Sequence, residues 1–324
     1  MFSLHDKSLY VADLDLWIDS LRPRSRCYVS HGHADHARAH DVVVTSPNNA
    51  KVCAQRLGGD IVYETHAFNE PWRHGECLLT LFSAGHVLGS AQLLIESERG
   101  RFVYTGDFKL EPSHSAEPIE VKPCDVLLME CTYGHPAYVF PPRAEIAGEM
   151  VAWARKALED GAIPIFFAYS LGKAQEAMAI LGAGGIPLAA HGAIAAMTRI
   201  YTDAGVVMPA YERYDAETFD GTRALVWPPS VKALPPTVRG KAVRTASLTG
   251  WVAAKATRFR RTRHSDVGFA LSDHADFPAL LRYIELAQPR KVLLNHGSPS
   301  FVYQLRRLGI EAEYLESNEQ LALF

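Results

Sequence analysis

No stretch of eighteen apolar residues occurs among the 324 residues, so no membrane-crossing helix is expected. No Cys-x-x-Cys pair occurs either. The five cysteines, Cys27, Cys53, Cys77, Cys124 and Cys131, are odd in number and scattered, which is poor material for a disulfide framework. They read as reduced thiols of a cytoplasmic protein. The opening "MFSLHDKSLYVADLDLW" carries acids where a secretory leader needs an apolar centre. Neither sign of charge dominates: 33 Lys and Arg stand against 36 Asp and Glu, a formal net charge of −3. No global basic field therefore draws in a polyanion, and any such partner must meet a local patch. Internal repeats and low-complexity tracts are missing too.

What is present is a chain long enough to bury a sizeable core and to form two domains, with 48% hydrophobic residues. The first third reads as short strands. "RCYVS" ends at His31, "CLLTLFSAG" runs into His86, and "SAQLLIES" and "RFVYTGD" suggest a hairpin turning at Glu98-Arg99-Gly100. "CDVLLMECTYG" is another apolar run. Each strand ends at or near a His, Asp or Glu, which places reactive groups on loops held by a rigid sheet. From about Pro136 the texture changes. "AEIAGEMVAWARKALEDG" has helical spacing, "AIPIFFAYS" reads as a buried strand, and "LGKAQEAMAILGAGG" as a helix; "IPLAA" and "GAIAAMTRIYTDAG" repeat the rhythm. That alternation predicts an α/β unit with a parallel sheet. After a basic stretch come "VGFALSDHADF", the helix "PALLRYIELAQPR", the strand "KVLLNHG", a helix from about Ser300 and the strand "AEYLE".

"VSHGHADHARAH" concentrates metal-binding groups. His31, His33, Asp35 and His36 form H-x-H-x-D-H. Read as an extended loop, residues two apart point the same way, so His31 and His33 converge on one ion, while Asp35 and His36, displaced by the next bend, serve a second. Three later residues complete the set, each following an apolar strand: His86 for the first ion, His296 for the second, and Asp107, whose two oxygens can each take one ion. Neutral imidazoles and carboxylates suit two divalent ions, with zinc favoured and manganese the alternative. Such a pair activates water and neutralises charge on a phosphodiester under attack.

This motif set resembles the metallo-β-lactamase fold. "WIDS" is similar to that family's early aspartate, which implies that Asp19 orients a ligand histidine rather than binding metal. "LLMECTYG" resembles the acidic motif of the β-CASP nucleic-acid nucleases, with Glu130 in the acid position. "YSLGKAQEAM" resembles their G-[KR]-A-Q-E helix start, "LSDHADF" their second-motif histidine, His274, and "LLNHG" their third, His296. The likeness covers essentially the whole chain and is strongest to the ligase-associated DNA exonucleases of bacteria. It implies an α/β protein, a metallo-β-lactamase αββα sandwich with an inserted α/β β-CASP domain. The divisions it implies are 1–135 and 265–324 for the sandwich and 136–264 for the insert. It implies a two-metal phosphodiester hydrolase, a 5′ to 3′ DNA exonuclease in repair. Its partners would be single-stranded DNA or duplex ends, an ATP-dependent DNA ligase and a helicase, with no membrane. The alternative is an RNA-processing endo- or exoribonuclease of the same family, and a histidine at the third motif is the residue type that RNA enzymes tend to carry. Asp35, Asp107, Glu130 and His274 are the candidate catalytic groups. Glu130 is expected to hold a neighbouring histidine, and His274 to orient the scissile phosphate or protonate the leaving oxygen.

Substrate grip has two candidates. The helix beginning near Gly172 can present N–H groups to a phosphate, assisted by Lys173. Lys255, Arg258, Arg260, Arg261 and Arg263, with Phe259 among them and Trp251 just before, combine phosphate-gripping charge with stacking surface. The remaining histidines, His40 foremost among those that mimic a ligand, match no motif.

Overall fold

The computed structural model describes residues 2–5, 8–231, 235–238, 240–255 and 265–315. Its contacts divide the chain into two compact units: Met1–Pro136 with Phe277–Phe324, and Ala137–Asp276.

The first unit holds two sheets. One has six strands in chain order: Phe2–His5, Ser8–Val11, Leu16–Ile18, Arg26–Tyr28, Val42–Thr45 and Val62–Thr65. The other has seven, in the order Ala312–Tyr314, Lys291–Gly297, Val126–Cys131, Gly100–Tyr104, Ala91–Ser97, Cys77–Ser83 and Trp72–His74. The inner faces share one core. Leu9, Val11, Leu16, Ile18 and Tyr28 come from the first sheet, and Leu79, Leu81, Leu93, Ile95, Leu128 and Leu293 from the second. Alternation along the strands supplies these residues, since every second side chain faces inward. A helix, Pro47–Leu57, covers the first sheet through Cys53 and Leu57, and is capped by Ser46 accepting the Asn49 N–H at 3.2 Å. Phe277–Ala287 and Ser300–Arg307 are the other α-helices of the unit's described residues. This is the helix-flanked sandwich that the resemblance implies.

Ala91–Ser97 and Gly100–Tyr104 form the expected hairpin, but the turn is tighter than "ERG": Ser97 pairs with Gly100, leaving Glu98 and Arg99 as the two loop residues. The five cysteines are all free and buried.

One irregularity shapes the site. Val126–Cys131 and Lys291–Gly297 pair in parallel up to Glu130 with Asn295, after which Cys131 pairs with Gly297. His296 is the extra residue of that bulge and takes a left-handed backbone, φ 48°. The two chains approach so closely that a Cβ on Gly297 would lie 2.0 Å from the Cys131 carbonyl oxygen. Gly297→Ala should therefore cost at least roughly 1–3 kcal/mol from overpacking. Urea denaturation reads this as a lowered midpoint, and an unchanged midpoint would refute it.

The second unit is built on a wholly parallel six-stranded sheet. Its order is Glu212–Arg213, Leu188–Ala190, Ala224–Trp227, Ile163–Phe167, Val243–Leu248 and Val267–Phe269. Helices Lys173–Ala183 and Gly192–Asp203 supply crossovers of the kind a parallel sheet requires, and Arg143–Glu159 leads into its first strand in the chain. Met150, Ala154, Ala177, Met178 and Leu181 pack with Phe166, Val226 and Ala246. The return to the first unit comes at Phe277 and not at 265. The reason is pairing: Val267–Phe269 adds a parallel edge strand to Val243–Leu248.

Candidate metal centre

After His33 the chain turns tightly through residues 34–36. The His33 carbonyl accepts the N–H groups of His36 and Ala37, at 3.0 and 2.8 Å. The turn leaves Ala34 and Asp35 exposed and brings His36 back into the interior beside His31, both with no exposed surface. The His31 and His36 ring centroids are 4.2 Å apart. His86 stands in the loop after Cys77–Ser83, buried. Asp107 follows Gly100–Tyr104 and is 4% exposed. Gly106, in front of it, has φ 56°, and a Cβ there would meet the Ser30 side chain at 2.7 Å. Only glycine allows that approach in that conformation.

Ligand atoms of His31, His33, His86 and Asp107 all lie within 4.8 Å of one another. The two oxygens of Asp107 face different partners. Oδ2 is 3.5 Å from His31 Nε2 and 3.9 Å from His86 Nε2, whereas Oδ1 is 3.4 Å from His36 Nε2. His296 stacks on His36, centroids 4.6 Å apart and planes 25° from parallel. Asp35 lies outside the compact group, but its charge is near enough to act on His296.

Asp19 holds the centre from behind. Its Oδ2 is 2.7 Å from His36 Nδ1 and accepts Tyr104 Oη–H at 2.7 Å and Ser30 Oγ–H at 2.5 Å; its Oδ1 accepts the Ser30 N–H at 2.7 Å. This turns His36 Nε2 toward Asp107. Asp19 also has a left-handed backbone, φ 43°, so asparagine is the mildest replacement. Asp19→Asn should weaken metal affinity by roughly 10–100-fold, as losing a ligand's outer hydrogen-bond partner typically does. Chelator competition measures it, and wild-type affinity would remove Asp19 from this role. Ser30 and Tyr104 are contributors that the sequence reading missed. Their signal was proximity: one precedes His31 directly, and the other ends the strand before Asp107.

The electrostatics fit a cation. Burial, and then the neighbouring His36, push His31 well below the ordinary histidine pKa. Burial would lower His36 as well, but the carboxylates of Asp107 and Asp19 outweigh it and hold its pKa well above the usual value. Burial, and then His36, lower His296. A cation at His36 Nε2 would replace a proton that the two carboxylates already favour. The buried Nε2 atoms of His31 and His36 have no hydrogen-bond partner among the described residues. Buried polar atoms in proteins are usually paired, and an imidazole–carboxylate set suits zinc or manganese.

Glu130 is buried at the end of Val126–Cys131, and its Oε1 accepts the Phe108 N–H at 2.9 Å, which pins the loop just past Asp107. His40 is structural: it is buried, and its Nδ1 accepts the Arg24 N–H at 3.2 Å.

The remaining candidates lie in the second unit or outside the described residues. His274 is half-buried in the turn after Val267–Phe269, its N–H donated to Ser272 Oγ at 3.1 Å. Lys173 was expected at a phosphate. Its ammonium is instead buried, 2.9 Å from Asp273 Oδ1. The Gly172 N–H is likewise occupied, donated to Gln175 Oε1 at 2.8 Å. Trp251 is half-buried with its ring edge-on to Tyr138, centroids 5.2 Å apart, and Lys255 is exposed. Arg258, Arg260, Arg261 and Arg263 lie outside the described residues.

Residues 268–318 match a sequence profile described as a Zn-dependent metallo-hydrolase RNA specificity domain. Over 318 residues the chain is 36% identical to a protein named "Probable DNA ligase" from Opitutus terrae, covering 97% of this chain and 31% of that one. The chain belongs to the β-CASP family of metallo-β-lactamase-fold hydrolases. Other relatives of this β-CASP chain match it over shorter spans. An RNase J-like protein of Methanocaldococcus jannaschii is 31% identical over 102 residues, 31% of this chain and 24% of that protein. The cleavage and polyadenylation specificity factor subunit 3 of Dictyostelium discoideum is 33% identical over 116 residues, 35% of this chain and 15% of that one. The β-CASP chain thus spans about a third of the Opitutus protein and less of the other two. Among the described residues no helix is long and apolar enough to cross a membrane.

Proposed function

We propose that this chain is a two-metal phosphodiesterase that degrades DNA from an end, in the 5′ to 3′ direction, alongside a DNA ligase in the cytoplasm. The observation that carries the reading is the position of Asp107, one carboxylate whose two oxygens face separate histidines at 3.4 and 3.5 Å. His31, His33, His86 and Asp107 would hold one ion, and Asp35, His36, Asp107 and His296 the other. The second unit is the family's inserted domain. The link to DNA and ligation draws support from the Opitutus likeness, which runs through nearly the whole of this chain.

When bound, a pair of divalent ions supplies an activated water at neutral pH and offsets charge on the phosphate. The protein's own part is positional. Asp19 keeps His36 Nε2 aimed at Asp107, and Glu130 holds the backbone immediately after Asp107. His274 delivers a proton to the departing sugar oxygen, which is a poor leaving group without one.

RNA is the second reading, favoured by the RNA-specificity profile over 268–318, which contains His274 and His296. Labelled single-stranded DNA, duplex DNA and RNA, each with added Mn²⁺, Mg²⁺ or Zn²⁺, separate the two on a gel. Stepwise loss of nucleotides from DNA ends is expected. Cleavage of RNA alone would transfer the assignment. Cleavage of neither, with turnover of small esters, would overturn both.

Grip on the substrate is assigned to the basic segment. Arg258, Arg260 and Arg261 changed together to Glu should weaken binding to any sequence. They should also flatten its salt dependence by roughly one unit per lost phosphate contact. Turnover of a small phosphodiester should persist. An unchanged salt slope would leave the segment as a solvated loop.

A further inference from the structure

The G-K-A-Q-E helix start spends its polar groups inside the second unit. Lys173, Gln175 and Glu176 are 6%, 0% and 4% exposed. Gln175 closes the helix entrance: Oε1 accepts the Gly172 N–H, while Nε2 donates to Ser170 O at 3.1 Å and Thr198 Oγ1 at 3.0 Å. Glu176 pairs with Arg143. Lys173 reaches Asp273 at 2.9 Å, with both side chains under 10% exposed. Its Nζ also sits 5.1 Å from the centre of the Tyr169 ring.

A buried ion pair is weak evidence for stability, because two charges lose their water to form it. What this pair does supply is geometry. Asp273 directly precedes His274, and the turn around them is tied at several points. Ser272 Oγ accepts the His274 N–H at 3.1 Å, and Asp276 Oδ2 accepts the Phe140 N–H at 2.9 Å. Ser272, Asp273 and Ala275 are buried, while His274 between them is only half so. The helix entrance is thus a fixed post, and Asp273 is the tether from that post to the residue beside His274.

We infer that Lys173, acting through Asp273, is a positioning residue that holds His274 in the orientation its proton delivery needs. This rests on the reading of His274 as the proton donor. The pair does not touch substrate and acts only through the backbone of the turn. A misplacement on the order of 1 Å is enough to cost about 10²-fold in rate.

The test uses the full chain, oligonucleotides with an ordinary scissile bond, and matched oligonucleotides with sulfur as the leaving atom. Replacing Lys173 by Met together with Asp273 by Asn removes the attraction without stranding a buried charge. Asp273→Glu keeps the pair but lengthens the tether by one methylene. Either should lower kcat on the oxygen substrate by roughly 10–10²-fold, with KM little changed. Both should be near normal on the sulfur substrate, whose thiolate leaves without a proton. Lys173→Arg should recover much of the rate. Adding His274→Ala to the neutral pair should cost nothing beyond His274→Ala alone, since the post acts through the same group. Bound metal should match wild type in all of them. Equal losses on oxygen and sulfur substrates, or losses that multiply with His274→Ala, would overturn the inference while leaving His274 as the acid. If His274→Ala itself fails to distinguish oxygen from sulfur, the reading beneath it has failed instead.

Discussion

Asp107→Ala should leave no measurable hydrolysis of DNA, RNA or a small phosphodiester, and should reduce bound metal from two equivalents toward none. A single carboxylate stands between the histidine groups, with Oδ2 toward His31 and His86 and Oδ1 toward His36. Removing it deprives both proposed sites of their shared anionic ligand, so the effect is not that of one weakened contact. Asp107→Asn separates charge from shape. It keeps the volume but replaces the carboxylate by a neutral amide with one acceptor oxygen, and it too should be inactive. Both variants should fold, because the sandwich core lies in the apolar residues between the sheets. Metal analysis after dialysis, circular dichroism and a gel assay decide the matter together. Two bound ions in the Ala variant, or wild-type activity that survives exhaustive chelation, would end the two-metal reading.

His274→Ala should keep both metals and slow DNA hydrolysis by roughly 10²–10⁴-fold, the usual worth of general acid–base catalysis. The physical reason is the leaving group. A sugar alkoxide departs unwillingly unless protonated as the bond breaks, whereas a thiolate needs little help. A sulfur-bridged substrate should therefore recover most of the lost rate. Comparable slowing on both substrates would make His274 a phosphate-orienting or structural residue. It is half-buried among buried neighbours on a turn fixed by Ser272.

The residues at the centre were legible in the sequence because their chemistry is rare at strand ends. His31, His86, Asp107 and His296 each follow an apolar run, and H-x-H-x-D-H is a dense local signal. The way they converge was less legible. The turn closed on the His33 carbonyl exposes Asp35 while it buries His36. That choice depends on hydrogen bonds which residue types alone do not specify. The left-handed backbone of His296 comes from a bulge in sheet pairing, which is a long-range property. Lys173 looked like a surface cation because its partner, Asp273, lies far along the chain. The short strands Val62–Thr65 and Trp72–His74 carry mixed, partly exposed side chains, so they gave no clean two-residue alternation. The division at 265 failed for a related reason: Val267–Phe269 is short enough to join either unit, and pairing with Val243–Leu248 decides it.

The buried cysteines have a chemical consequence. Burial pushes the thiols of Cys53, Cys124 and Cys131 up to about 12, raises Cys77, and drives Cys27 higher still. At neutral pH each is held as the protonated, unreactive form. The thiolate is what oxidants and soft metal ions attack, so these five sulfurs offer them little. Cys131 borders the bulge that presents His296, and burial keeps its thiol protonated at neutral pH. The centre is left to nitrogen and oxygen donors, which peroxide attacks far less readily than sulfur. A centre of imidazoles and carboxylates has no sulfur ligand whose oxidation would release its metal, as happens in a thiolate-ligated zinc site.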